Sequence, residues 1–157
     1  MTFSQVSGLT DYIGRTVSLV TDGGYYKEEY VSSGDVYFDS EVSSVVIGIP
    51  YNGIIESFPL GFKLKGKNTQ ISKKNVTGMF MRFVNSAGCK AGTSQYNLTD
   101  IQEIDQNTLN YAPPMLMNGT KEVPISSTSS RDLTFIIKQD DPLPLVINNV
   151  VVEGSFT

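Results

Sequence analysis

The sequence contains no histidine and no tryptophan, and a single cysteine, Cys89, among 157 residues. Each scarcity removes a class of chemistry. Without histidine the commonest general base is missing, and Ser-His-Asp and Cys-His arrangements are excluded. One cysteine allows neither an intramolecular disulfide nor a cysteine-built zinc cage, and it suits assembly in a reducing cytoplasm. No apolar stretch has the length that spans a bilayer, and the opening MTFSQVSGLTDY lacks the basic-then-apolar pattern of a secretory signal. No membrane insertion is therefore expected. Basic residues are few as well, 12 Lys and Arg against 16 Asp and Glu, for a formal net charge of −4. That balance argues against a dedicated nucleic-acid binder. In the absence of a secretory signal, the three sequons at Asn75, Asn97 and Asn118 read as chance matches in an Asn- and Thr-rich chain.

What is present is enough apolar material for a core, 39% of residues, distributed as short extended segments between turns. Thr16 to Thr21 is β-branched-rich and stops at Asp22-Gly23-Gly24, a strong turn signal. Tyr25 to Val31, Val36 to Phe38, Ser43 to Ile49 and Ile54 to Leu60 follow as strands, with Pro59 marking an edge or exit. Phe62 and Leu64 alternate with Lys63 and Lys65, and 66–70 reads as a hairpin tip. Val76 to Phe83 is the clearest long strand. Strict alternation puts Thr77, Met79, Met81 and Phe83 on one face and Val76, Gly78, Phe80 and Arg82 on the other. Residues 105–124 are polar and interrupted by Pro113-Pro114, which predicts a long irregular connection. Leu133 to Lys138 and Leu145 to Val152 close the series as strands. The expected fold is all-β, an antiparallel sandwich or barrel-like domain over 1–157, either undivided or as two packed lobes, 1–60 and 61–157.

No motif in this series demands chemistry. Gly61 to Lys67 nearly spells a phosphate-binding P-loop, but Asn68 stands where magnesium needs Ser or Thr, and a strand follows where a helix is required. Lys63, Lys65, Lys67, Lys73 and Lys74 crowd one hairpin. Lacking an arginine to grip phosphate in bidentate fashion, they read better as a charged rim that keeps a β edge from pairing. Asp35, Asp39 and Glu41 could ligate calcium, yet their spacing matches no recognised loop. Glu28-Glu29 and Asp140-Asp141 are neighbours, which strand geometry sends to opposite faces. Met79, Phe80, Met81 and Phe83 suit a core better than a cofactor pocket. Neither a metal nor a cofactor is expected.

Several segments, in order, carry a resemblance. They are Gly8-Leu9-Thr10-Asp11-Tyr12-Ile13-Gly14-Arg15-Thr16-Val17 followed by Val20-Thr21-Asp22-Gly23; Ile47-Gly48-Ile49-Pro50-Tyr51 with Ile55 to Leu60; Lys73-Lys74 leading to Met81 through Gly88; and Asp132 through Ile136 with Lys138-Gln139-Asp140-Asp141-Pro142-Leu143-Pro144-Leu145. Together they resemble the C-terminal region of the tail tubular protein B, or tail nozzle (stabilisation) protein, of podovirus-type phages and related prophages. The likeness extends from Gly8 to Val152 and omits 105–124. Gly88-Cys89 departs from the family's paired glycines, and Thr21-Asp22-Gly23 from its alanine-aspartate-glycine turn. Family members carry a large body before this region, so both an excised domain and a standalone relative fit.

The resemblance implies a structural virion protein of a bacteriophage tail, assembled in the bacterial host cytoplasm and not an enzyme. It implies a ring of subunits, commonly six, forming the conduit for genome ejection, with the adapter, fibre or needle proteins as partners. DNA would pass transiently without specific binding, which an acidic net charge suits, because each neutralised phosphate adds affinity and drag. Tyr51, Arg82 and Lys90 are the candidate subunit contacts, chosen as residues at or beside strand ends. The rival reading is a host-surface β module that binds glycan, with Tyr25, Tyr26, Tyr30 or Tyr37 exposed along a shallow groove; the lack of tryptophan weakens it. A polysaccharide- or peptidoglycan-cleaving enzyme would need two facing carboxylates in a cleft.

Overall fold

The computed structural model describes residues 2–22, 25–61, 63–64, 67–68, 72–102, 115–125 and 129–156. Every regular element among them is a strand except one 3₁₀ turn, Thr10–Tyr12, and all pairing is antiparallel. The chain divides into two compact units, one built on Met1–Asn52 with Ile104–Met115 and Asp140–Leu143, the other on Gly53–Glu103, Leu116–Gln139 and Pro144–Thr157. The fold is all-β, and among the described residues no sheet closes into a barrel.

The first unit holds β1 (Phe3–Ser7), β2 (Thr16–Thr21), β3 (Tyr25–Tyr30), β4 (Asp35–Val42) and β5 (Val45–Gly48). They form a three-stranded sheet in the order β3-β2-β5 and a two-stranded sheet, β1-β4. Central β2 is covered almost throughout, and its Val17 and Leu19 meet Leu9, Val31 and Val36 in the core. Gly34 adopts φ +83 where the chain turns into β4, and its carbonyl accepts the Leu9 N–H, pinning the approach to the 3₁₀ turn. Most L side chains are strained at such a φ, and glycine is not.

The second unit holds β6 (Gly53–Glu56), β7 (Lys63–Leu64), β8 (Lys67–Asn68), β9 (Lys74–Ser86), β10 (Gly88–Ser94), β11 (Asn97–Gln102), β12 (Met117–Val123), β13 (Ile136–Gln139) and β14 (Ile147–Phe156). A four-stranded sheet, β11-β10-β13-β6, and a three-stranded sheet, β12-β9-β14, share one core and so form a sandwich. Met79, Met81, Phe83, Met117 and Val123 come from one sheet, and Cys89, Ala91, Ile101 and Ile137 from the other. Each large side chain among them contributes about 1.5–3 kcal/mol by leaving water.

Three expectations from the sequence change here. Alternation along β9 is broken: Val76 is buried and Thr77 exposed, while Met79, Met81 and Phe83 are buried. The register explains the switch, passing from Glu153↔Gly78 to Gly154↔Val76 and leaving Thr77 unopposed. One extra residue in a ladder reverses the side-chain faces beyond it. Of the connection expected over 105–124, residues 105–114 lie outside the described residues, and Met117–Val123 is a strand on the flank of β9. Its period-2 signal is hidden, since only its two ends are buried and Gly119 turns through φ +96 between them. Lys67 and Asn68, expected in a hairpin tip, pair as β8 with Leu64 and Lys63.

Candidate functional site

The first unit contains a small cleft of about 70 Å³ where β2, β3 and β4 meet. Leu19 and Phe38 supply apolar wall, and Asp22, Lys27, Asp39 and Glu41 supply charge. Lys27 enters because it lies opposite Leu19, on the core side of its strand. Its Nζ stands 3.0 Å from Glu29 Oε2, two residues along the same strand, and 4.0 Å from Asp39 Oδ2 on β4. These pairs are largely solvated and contribute little stability.

The acids of the cleft are engaged. Asp22, itself at φ +42, accepts the backbone N–H groups of Ser43 and Ser44 through Oδ1, both at 2.9 Å, and the Ser43 hydroxyl at 2.6 Å. The Ser43 hydroxyl bond, with the two backbone N–H bonds, holds its pKa below the usual carboxylate value against a smaller opposing desolvation. The carboxylate therefore pins the β4–β5 turn. Glu41 accepts a hydrogen bond from the Thr2 hydroxyl. Asp35, Asp39 and Glu41 do not form a calcium site: Asp35 and Asp39 lie four residues apart on one strand, roughly 13 Å at full extension. Among the described residues no group of three acidic or thiol side chains is placed to hold a metal ion.

Gly61 to Lys67 does not make a phosphate loop either, because Lys63–Leu64 and Lys67–Asn68 are paired strands; Phe62, Lys65 and Gly66 lie outside the described residues. Lys74 leaves the expected charged rim. It is 3% exposed, and its Nζ donates to the Arg131 carbonyl while its backbone bridges Ser130 in both directions. Cys89 is buried in the sandwich, and burial pushes its thiol up to about 12, so it is not a nucleophile at neutral pH.

The three candidate contact residues lie in three different segments of the chain. Tyr51 is 81% exposed in the segment joining β5 to β6. Arg82 is exposed inside β9, opposite Thr120 and Asn149. Lys90 is half-buried inside β10, opposite Asp100 and Lys138 in the other sheet of the sandwich. Tyr51 and Lys90 each lie two residues from the start of a strand, at Gly53 and Gly88, whereas Arg82 lies inside β9, four residues before its end. Tyr30 and Tyr37 are exposed but do not line the cleft, and the side chains of Tyr25 and Tyr26 lie outside the described residues.

Sequence reasoning missed the exposure of the aliphatic and aromatic residues between β5 and the exit of β6. Val46 is 70% exposed, Ile55 59% and Phe58 92%, and Ile49 and Ile54 are more than half open to solvent. A signal for this was present: no charged residue lies between Glu41 and Glu56. No family model matches the chain, and no curated protein matches it in sequence.

Proposed function

We propose that the chain is a structural protein, a β-built component of the short tail of a bacteriophage, contributing to the ring-shaped nozzle through which the genome leaves. The observation that carries this reading is the distribution of exposure. Val46, Ile49, Ile54, Ile55 and Phe58 stand in water, while the acids of the cleft are committed to a turn, a hydroxyl and ion pairs. Exposed apolar side chains of that kind mark places where proteins are held together. The ordered segments from Gly8 to Val152 that resemble the nozzle family supply the particular assembly, with adapter, fibre or needle proteins as neighbours in the virion. The reading assigns no reacting group and needs no cofactor.

Negative-stain imaging and native mass measurement on the full product of the reading frame test it, together with antibody labelling of virions. Rings with a central opening, and label at the tail tip, are the expected result. A monomer that binds host cells or a glycan array refutes it in favour of the host-surface reading, for which the exposed Tyr30 and Tyr37 would be the stacking residues.

A further inference from the structure

We propose that copies of this chain join head to tail, the free edge of β5 in one copy pairing antiparallel with the free edge of β6 in the next. This deepens the ring reading by naming the partner, a second copy, and the strands that meet.

Among the described residues both strands lie at the edge of their sheets, β5 beside β2 and β6 beside β13. Unpaired edges are templates for another chain, and proteins commonly guard them with charge. The other edges show such protection. β3 carries Lys27, Glu28 and Glu29, β4 carries Asp35, Asp39 and Glu41, and β12 carries Lys121 and Glu122. β11 has Asp100, β14 has Glu153, and β7 and β8 have Lys63 and Lys67. β1 is uncharged, but its exposed residues are Ser4, Gln5 and Ser7, which offer no apolar gain. β5 has no charge at all, and β6 has one, Glu56, at its last position. Two copies with net charge −4 repel wherever carboxylates meet, so a second copy is most easily accepted along these two edges.

The ladders fix which groups are free. The Asp22 N–H donates to the Ser44 carbonyl, so Val46 and Gly48 exchange bonds with β2, while Val45 and Ile47 turn their N–H and C=O outward. The Ser57 N–H donates to the Phe135 carbonyl, so Gly53 and Ile55 face β13, while Ile54 and Glu56 turn outward. Two outward residues spaced by two stand on each edge. Antiparallel pairing brings Val45 to Glu56 and Ile47 to Ile54, which sets Val46 against Ile55 and Gly48 against Gly53. Val46 and Ile55, both mostly exposed in the single chain, become close cross-strand neighbours. The two edges differ, so the contact is heterologous, the kind that generates a ring when its rotation closes. Two four-residue edges bury less than the about 1,200–2,000 Å² of a stable interface, so isolated copies should associate only at high concentration.

The test uses the full chain and two pairs of variants at exposed positions, with folding checked by circular dichroism and melting. Native mass measurement up to about 1 mM, the weak end of the affinity scale, is expected to find assembly of the wild type. Val46→Lys alone and Ile54→Lys alone should stay monomeric, and their equimolar mixture should stop at a dimer, because each variant retains the edge the other needs. Under mild oxidation a mixture of Val46→Cys and Ile55→Cys should cross-link as the mixed pair several-fold above the statistical share; buried Cys89 stays silent. If the wild type assembles and both lysine variants assemble equally well, the edge assignment is overturned and the ring reading stands. A lysine-variant mixture that remains monomeric, or cross-links at the statistical share, overturns the head-to-tail pairing. A wild type that is monomeric throughout overturns this pairing, while rings or their absence in the full product of the reading frame decide the ring reading separately.

Discussion

Replacing Gly92 by alanine tests the packing of the β10–β11 hairpin at its tightest point. A Cβ at that position would lie 2.1 Å from the Asn97 carbonyl oxygen, 3.1 Å from its carbonyl carbon and 3.3 Å from Leu98 Cα. All three are backbone atoms, so no rotamer change relieves the clash. The chain must open by roughly 1.5 Å to reach ordinary contact distance. The register shift between Gly92 and Ser94 lies there, so the hairpin tip yields first. Cys89, Ala91 and Ile101 remain anchored in the core on the inner side of the shift. Losing the tip pairing, at about 0.5–1.5 kcal/mol for each of two hydrogen bonds, plus residual overpacking of about 1 kcal/mol, predicts a loss of about 2–4 kcal/mol. For a unit of this size that lowers Tm by roughly 10–25 °C. Gly48→Ala is the control, because nothing lies within 4 Å of its added Cβ, and its effect should stay within about 0.5 kcal/mol. Urea titration followed by circular dichroism measures both. Equal stability of the two variants would refute the close approach at Gly92.

The Ser86 hydroxyl, fully buried, accepts the Val146 N–H at 2.9 Å and lies 3.0 Å from the carbonyls of Val84 and Val146, joining β9 to the segment before β14. Ser86→Ala should cost about 1–3 kcal/mol by leaving backbone groups unsatisfied, measured by the same urea titration. Asp22 has a folded pKa below its ordinary 3.8, so the stability it provides is present above pH 3.8 and is lost as pH falls through the lower folded value. Asp22→Asn should remove that part of the acid transition, seen as a shallower loss of melting temperature below pH 4. Cys89 is shifted the other way, from 9.0 to about 12, so its contribution is complete below pH 9 and declines as pH rises towards 12. Native protein at pH 8 should therefore react with a thiol reagent only at the rate at which the sandwich opens, and Cys89→Ala should flatten the alkaline decline. Reaction as fast as that of an unfolded peptide would refute its burial.

The all-β character was legible because strands and turns are local. Thr16–Thr21 ahead of Asp22 and the long strand through Met79, Met81 and Phe83 appear where β-branched and alternating residues put them. What was not legible depends on one-residue irregularities. Thr77 bulges because Gly154 lets the backbone approach Asn75 within 2.6 Å of where a Cβ would stand, a fact about a residue far along the chain. Met117–Val123 is a strand because β9 offers it a flank, despite a weak pattern of its own. Alternation along β3 sends Glu28 and Glu29 to opposite faces, as the sequence implied, but the use of Asp22 as a turn anchor required seeing Ser43 and Ser44 brought to it.

The segment from Val45 to Glu56 shows why assembly is harder to read than fold. As sequence, Val45-Val46-Ile47-Gly48 and Gly53-Ile54-Ile55-Glu56 on either side of Ile49-Pro50-Tyr51-Asn52 have the form of a hairpin. In the chain they do not pair: β5 is taken by β2 and β6 by β13, in separate sheets. The complementarity of two β-branched, nearly uncharged strands is left unspent, and two copies can satisfy it in the register a hairpin would have used. A hairpin consumed inside one subunit would leave no such edges. Its division between two sheets gives each copy one donor edge and one acceptor edge, which is the minimum a closed heterologous ring requires. The same feature carries an aggregation hazard, since a geometry that fails to close propagates as a filament. Val46→Lys should therefore raise the solubility limit of the purified chain while leaving its melting temperature within a few degrees, measured by turbidity on concentration; unchanged solubility would show that β5 is not the sticky edge.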